Sequence, residues 1–200
     1  MVVLSCQVLS FGVFVNMTKH FVLPDVQAKP GHDFSYLTHI GKYICEKKPD
    51  VIINIGDFAD MPSLSSYDVG TKKFEGARYV NDVLAAKEAM NALLSPLVEY
   101  NTKARASGKK QYKPRMVLTL GNHENRINRA INLDPKLEGV LSVDDLGYKE
   151  WGWEVYPFLE VVIIDGIAYA HYFVTGVAGR PASTAAAQLR KTNLSSIAGH

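Results

Sequence analysis

The chain has 200 residues, 47% of them hydrophobic and 21% charged, with 22 basic against 20 acidic side chains. That composition is globular and excludes a disordered or bilayer-filling protein. A net charge of +2 supplies no chain-wide field for nucleic acid or a membrane surface, so any polyanion would have to be held by local clusters. The length suits one domain. Two cysteines, Cys6 and Cys45, make neither a disulfide framework nor a metal-site spacing, which fits a reducing, cytoplasmic setting.

In chain order, residues 1–16 are uncharged and mostly apolar or small. They lack the basic start of a secretory signal and are too short to span a bilayer. An extra strand or an upstream extension is expected there, ahead of a domain over residues 17–200. His20 to Leu23 reads as a strand closed by Pro24. Phe34, Leu37, Ile40, Gly41 and Ile44 recur at helical spacing over residues 33–47. Val51 to Ile55 is almost all β-branched, as in a strand buried on both faces. A long helical pattern covers Val80 to Ala104, with Pro96 as a candidate kink, and Met116 to Leu120 is a third buried strand. Trp153–Tyr156 and Leu159–Ile164 then read as strands, Asp165-Gly166 as a two-residue hairpin turn and Ile167–Phe173 as its second arm. A helix over Ala182–Lys191 and a strand over Ser196–Ala198 close the chain. The pattern is one α/β domain without an internal boundary.

Each of the first three strands runs directly into polar residues: Asp25-Val26-Gln27, Gly56-Asp57-Phe58-Ala59-Asp60 and Gly121-Asn122-His123-Glu124. Ligands of open α/β sheets sit beyond the carboxyl ends of the strands, so Asp25, Asp57, Asn122 and His123 are expected to converge. Gly56 and Gly121 are expected to turn the chain sharply off its strands. Two carboxylates brought together repel unless a cation lies between them. Carboxylates, an amide carbonyl and imidazoles together form a ligand set of mixed hardness, suited to manganese, iron, zinc and similar ions.

In this order the residues resemble the calcineurin-like metallophosphoesterase family, whose pattern is D-x-H, G-D-x-x-D, G-N-H-D/E, a lone His and G-H-x-H. The matching residues are Asp25-Val26-Gln27, Gly56 to Asp60, Gly121 to Glu124, His171 and Gly199-His200, so the likeness runs from about residue 19 to the last. It implies an α/β sandwich of two mixed β-sheets flanked by helices. It also implies two divalent metal ions, with manganese the expected pair and iron, zinc, magnesium or nickel compatible. The implied reaction is hydrolysis of a phosphate mono- or diester by a two-metal mechanism with a bridging hydroxide. Asp57 would bridge the metals, Asp25 and Gln27 would serve the first, and Asn122, His171 and His200 the second. His123 would protonate the leaving oxygen, oriented by Asp60. Arg126 is placed to grip phosphate, although a solvated arginine at a helix start would read the same. The chain is also similar to versions found in bacteriophage genomes, which points to nucleic acid or nucleotides as substrate.

The sequence departs from the family pattern twice. Gln27, whose amide carbonyl is a weaker donor for a transition metal than imidazole, stands where the family has histidine. G-H-x-H breaks off at His200, so the chain is expected to be a fragment of a longer protein, the alternative being a crippled first site. A binding or scaffold module that lost catalysis would share both features, but it would have no use for the Asp60–His123 pair. Lys103 to Arg115 is expected to be a solvated basic loop away from the site. Met61 to Tyr79 follows Asp60 and is expected to act as a lid or specificity element. His20, His32 and His39 fit no motif and are expected to be structural or at the surface.

Overall fold

The computed structural model describes residues 2–4, 18–174 and 179–200. Strands β1 (Val2–Leu4), β2 (His20–Leu23), β3 (Val51–Asn54), β4 (Arg115–Thr119) and β5 (Glu154–Tyr156) lie side by side in that order. β1 is antiparallel to β2, and all later neighbours are parallel. A second sheet holds β6 (Val162–Ile164), β7 (Ile167–Ala170) and β8 (Ser195–Ala198), with β6–β7 antiparallel and β7–β8 parallel. Helices α1 (Ser35–Lys47), α2 (Tyr79–Ala106), α3 (Asn125–Leu133) and α4 (Ala185–Thr192) flank them. The expected pair of mixed sheets with helices outside is therefore the observed architecture. Of the extension expected at residues 1–16, only Val2–Leu4 are described, paired with β2; residue 1 and residues 5–17 lie outside the described residues.

The period of two along each strand divides the core. Phe21, Leu23, Ile52 and Leu118 pack against the helices, while Val22, Ile53 and Val117 pack against Val162, Ile164 and Tyr169 of the second sheet. Both faces of the parallel sheet are thus covered, which is why its strands read as unbroken apolar runs. Each such side chain contributes roughly 1.5–3 kcal/mol on burial. α2 runs unbroken through Pro96, and Gly41 of α1 fits against it: a Cβ on Gly41 would lie 2.2 Å from the Leu93 carbonyl oxygen. His20 is buried, with Nδ1 2.7 Å from Tyr169 Oη and Nε2 2.8 Å from Asp165 Oδ2, tying β2 to the second sheet. His32 and His39 are exposed.

Three elements differ from the sequence pattern by three residues at one end, each for a local reason, and the others by at most two. β6 begins at Val162 because Pro157 to Glu160 form a turn, with Glu160 N–H on the Pro157 carbonyl at 3.1 Å and Leu159 at φ +71°. β7 stops at Ala170 because the His171 carbonyl leaves the ladder to accept the N–H groups of Gly199 and His200, at 2.9 and 3.1 Å. α4 begins at Ala185 because Ala182 N–H is bonded to the Phe173 carbonyl and the Thr184 side chain caps the helix from Ala187 N–H. The hairpin turn at Asp165-Gly166 is as expected, with both residues at positive φ.

The basic loop between α2 and β4 enters β4 at its amino end, opposite the strand ends that carry the motifs. It is pinned by two 2.8 Å bonds between Asn101 and the Tyr112 backbone. Residues 61–79 hold two short 3-10 turns, Pro62–Leu64 and Lys72–Phe74. No helix among the described residues is long and apolar enough to cross a membrane.

Candidate metal centre

β3 ends at Asn54, and the chain turns through Gly56 at φ +93° into Asp57 at φ +51°. Asp57 is 1% exposed. Gly121 answers to a different constraint from the one its motif suggests. Its φ is ordinary, but a Cβ there would lie 2.0 Å from Asp57 Oδ1 and 2.3 Å from Asp57 N. Glycine is required at 121 because the β3 and β4 loops touch, not because the chain turns there.

Glu124, which the motif contains but to which the sequence assigned no role, clamps those two loops. Its fully buried carboxylate accepts Asp57 N–H at 3.0 Å, Gly121 N–H at 2.9 Å and Ala59 N–H at 2.8 Å, and the Tyr148 hydroxyl lies 3.2 Å away. Burial and the charge of Asp57 push this carboxyl up, against the pull of its backbone donors. A protonated Glu124 would have to surrender one of three N–H partners, each otherwise buried without an acceptor. The same burial, with Glu124 beside it, pushes the Tyr148 phenol well up, so its hydroxyl stays a donor.

Asp57 then faces outward into the cluster. Its Oδ1 accepts His123 N–H at 2.9 Å, and its Oδ2 is 3.3 Å from His171 Nε2 and 3.6 Å from His123 Nε2. Burial acts to raise this carboxyl, but the hydrogen bond and charge of His171, with His123, hold it below its ordinary value. His171 is fully buried, and its Nδ1 donates to the Ile55 carbonyl at 2.9 Å. That bond fixes the tautomer and leaves the Nε2 lone pair aimed at Asn122 Oδ1, 2.8 Å away, and Asp57 Oδ2. Three electron-rich atoms meeting with no donor among them call for a cation. Burial disfavours a proton on this ring, but the hydrogen bond and charge of Asp57 outweigh burial and raise the His171 pKa. His200 completes the cluster, since ligand atoms of Asp57, His171 and His200 all lie within 4.8 Å of one another.

The other half of the predicted ligand set is less assembled. Asp25 Oδ1 is buried without a hydrogen-bond partner and lies 3.9 Å from His171 Nδ1, facing the place where Gly199 has no side chain. An orphaned buried carboxylate oxygen beside the cluster is what a missing cation would leave. Gln27 reaches the site through its backbone, with φ +49° and its N–H on the Asp57 carbonyl at 2.8 Å. Its side chain makes no hydrogen bond among the described residues. The donors present therefore fit divalent metal on the Asp57–Asn122–His171–His200 side, with Asp25 open towards it.

Beyond Asp57 stands a charged flank. His123 Nδ1 is 2.7 Å from Asp60 Oδ1, and Lys29 Nζ is 3.2 Å from Asp60 Oδ2. Burial opposes charge on the His123 ring, but the Asp60 bond and the charge of Asp57 raise its pKa above the ordinary value. Asp60 is held low in return by His123 and Lys29, which outweigh burial. Arg126 is not a solvated helix-start residue. Its side chain is 14% exposed, one terminal nitrogen donates to the Asp60 carbonyl at 2.8 Å, and the other lies 3.4 Å from His123 Nε2. Sequence reasoning missed Lys29; only its closeness to Asp25 in the chain could have suggested it. A cleft of about 440 Å³ adjoins this flank, bounded by Lys29, Asp60, Asp68 and Arg78. The Met61–Tyr79 segment thus lies beside Asp60.

Two mixed sheets carrying carboxylate, amide and imidazole donors at the carboxyl edge define a metallophosphoesterase. The model of the calcineurin-like phosphoesterase family matches residues 20–195, and the chain belongs to that family. It is a metal-binding hydrolase of phosphate esters. Comparison with individually curated proteins gives no match.

Proposed function

We propose that the chain hydrolyses a phosphate ester with two divalent cations, manganese first among the ions its mixed oxygen and nitrogen donors suit. Asp57 would be shared between them, Asn122, His171 and His200 would hold one, and Asp25 with Gln27 the other. Bound there, the cations would offset the clustered carboxylates and supply activated water and a polarised phosphoryl oxygen. The observation that carries this reading is the convergence of His171 Nε2, Asn122 Oδ1 and Asp57 Oδ2 with no hydrogen-bond donor between them.

The chain's own residues supply the rest. Asp60 accepts the Nδ1–H of His123, so the ring is turned with Nε2 towards the cluster and is disposed to carry a second proton there. That Nε2–H is the acid for the leaving oxygen. Arg126 and Lys29 place positive charge on the same flank, where phosphate oxygens would lie. Nucleotides or nucleic acid, met in a cytoplasmic setting, are the substrate classes favoured.

The test is metal analysis together with hydrolysis of mono- and bis-p-nitrophenyl phosphate under added manganese. Bound metal and turnover that His123→Ala lowers by roughly 10²–10⁴-fold, with metal content unchanged, is the expected result. No bound metal, or full activity in His123→Ala, would overturn the assignment. Metal binding without turnover of any ester would favour a scaffold that kept the site.

A further inference from the structure

Along the other flank of α3 runs a groove of about 560 Å³, the size of a small-molecule site. Its inner end adjoins the metal centre. Leu120 there directly precedes Gly121-Asn122, and the Phe158 ring lies 6.5 Å from the His171 ring and 5.5 Å from that of Tyr172. From α3 the groove receives Asn128, Ile131 and Asn132, whereas Arg126, on the opposite side of the same helix, turns to Asp60 and His123. A phosphoryl group at the metal centre would therefore have cations and the proton donor on one side and this groove on the other.

The groove's lining is the wrong sign for a polyanion. Its one cation among the described residues, Lys149, is already paired with Asp144 Oδ1 at 2.8 Å, and Glu138 adds a second carboxylate. A nucleic acid strand laid here would carry its phosphates past acidic groups with no free cation to meet them. What the groove does offer is apolar surface at Leu120, Ile131 and Phe158, and two amides one helical turn apart. Asn128 uses its NH₂ on Asn125 at 3.1 Å and keeps its carbonyl oxygen open, and Asn132 makes no hydrogen bond among the described residues. An aromatic face plus amides that donate and accept suits the plane and edge of a nucleobase.

We propose that this groove binds a nucleoside carried on the phosphorus of the substrate. This rests on the phosphoesterase reading above. Because the groove lies on the flank away from His123, the nucleoside is the substituent that stays on phosphorus, and the other alcohol leaves. The substrate class is then a small nucleoside phosphodiester, not a polynucleotide.

Two p-nitrophenyl diesters with the same leaving group separate the possibilities: that of adenosine 5′-monophosphate and that of methyl phosphate. With the manganese-loaded chain, the nucleoside diester is expected to have the lower KM. N128A/N132A, on an exposed helix face, should raise that KM about tenfold and leave the methyl diester unchanged. In parallel, adenosine titrated into the metal-free, ¹⁵N-labelled chain should shift the amide resonances of Leu120, Asn128 and Asn132. Both diesters hydrolysed alike, with no effect of the double variant, would overturn the proposal while leaving the phosphoesterase reading intact. A strong preference for an oligonucleotide over the nucleoside diester would overturn it as well. Hydrolysis of neither diester, with adenosine still shifting the groove resonances, would sink the catalytic reading and support the groove. Hydrolysis of neither and no shifts would overturn both.

Discussion

The two halves of the candidate metal centre are built to different standards. On one side Asp57, Asn122, His171 and His200 converge, and three of them are held from behind: Asp57 by Glu124 through its backbone, His171 by the Ile55 carbonyl, His200 by the His171 carbonyl. On the other side Asp25 keeps a bare buried oxygen, and Gln27 contributes a backbone bond and an uncommitted side chain. Ligands fixed by second contacts bind metal without an ordering cost. The contrast therefore predicts unequal affinities, with the Asn122–His171–His200 side filling first.

The most severe way to break that contrast is Asp57→Asn, because in the proposed two-metal reading Asp57 is shared by both sides. The amide oxygen can still accept His123 N–H, so the fold should hold, but the charge is lost. Metal affinity is expected to fall more than about 100-fold at both sites, with activity going with it. His171→Gln should by comparison empty one site and spare much of the other. Isothermal titration with manganese reads the stoichiometry, and two sites surviving Asp57→Asn would refute its bridging role. Next in size is Glu124→Ala, which strands three buried N–H groups. A loss of roughly 3 kcal/mol or more is expected, seen as a fall in Tm of about 10 °C, and both sites should weaken together because both loops are released.

A smaller effect separates the charged flank from the metal halves. In the metal-free chain His123 has its pKa raised, after the opposing effect of burial, by the Asp60 bond and the charge of Asp57. A raised folded value means the protonated ring is stabilised by the fold. That stability is fully present below the unfolded value of about 6.5 and is lost as pH rises through the folded value. Asp60 runs the other way, lowered from 3.8, so its share is lost as pH falls through the folded value. Asp60→Asn should lower the His123 midpoint in NMR titration. It should also destabilise the chain by about 1–2 kcal/mol at pH 6 and by less at pH 8. An unmoved midpoint would mean that Asp60 does not orient the ring.

Much of this architecture was legible in the residues, and unevenly so. The buried strands announced themselves because both faces are covered, and the polar residues just beyond them could only lie at the carboxyl edge. α3 showed only at its start, at Arg126, since its three asparagines favour turns over a helix interior. The convergence of Asp57, Asn122 and His171 came with the motif order. The clamp made by Glu124 did not, because its partners are three backbone N–H groups on two loops, which no spacing encodes. Lys29 and Tyr148 were hidden for the same reason: each meets the site through a distant residue.

The gentlest change repairs the weaker half. Gln27 sits at φ +49°, in the left-handed region that most residues avoid and where histidine is several-fold enriched. Gln27→His should therefore cost little backbone strain, and the N–H bond to the Asp57 carbonyl is unaffected by the side chain. Stability should stay within about 0.5 kcal/mol. Imidazole is a stronger donor than an amide carbonyl for manganese, iron or zinc, so affinity on the Asp25 side should rise about tenfold, with the Asn122–His171–His200 side unchanged. The readout is a two-site titration in which only the weaker constant moves. If neither constant moves, residue 27 does not face the metal, and the asymmetry must come from Asp25 alone. If both move, the halves are coupled through Asp57 and the centre binds its ions as a unit.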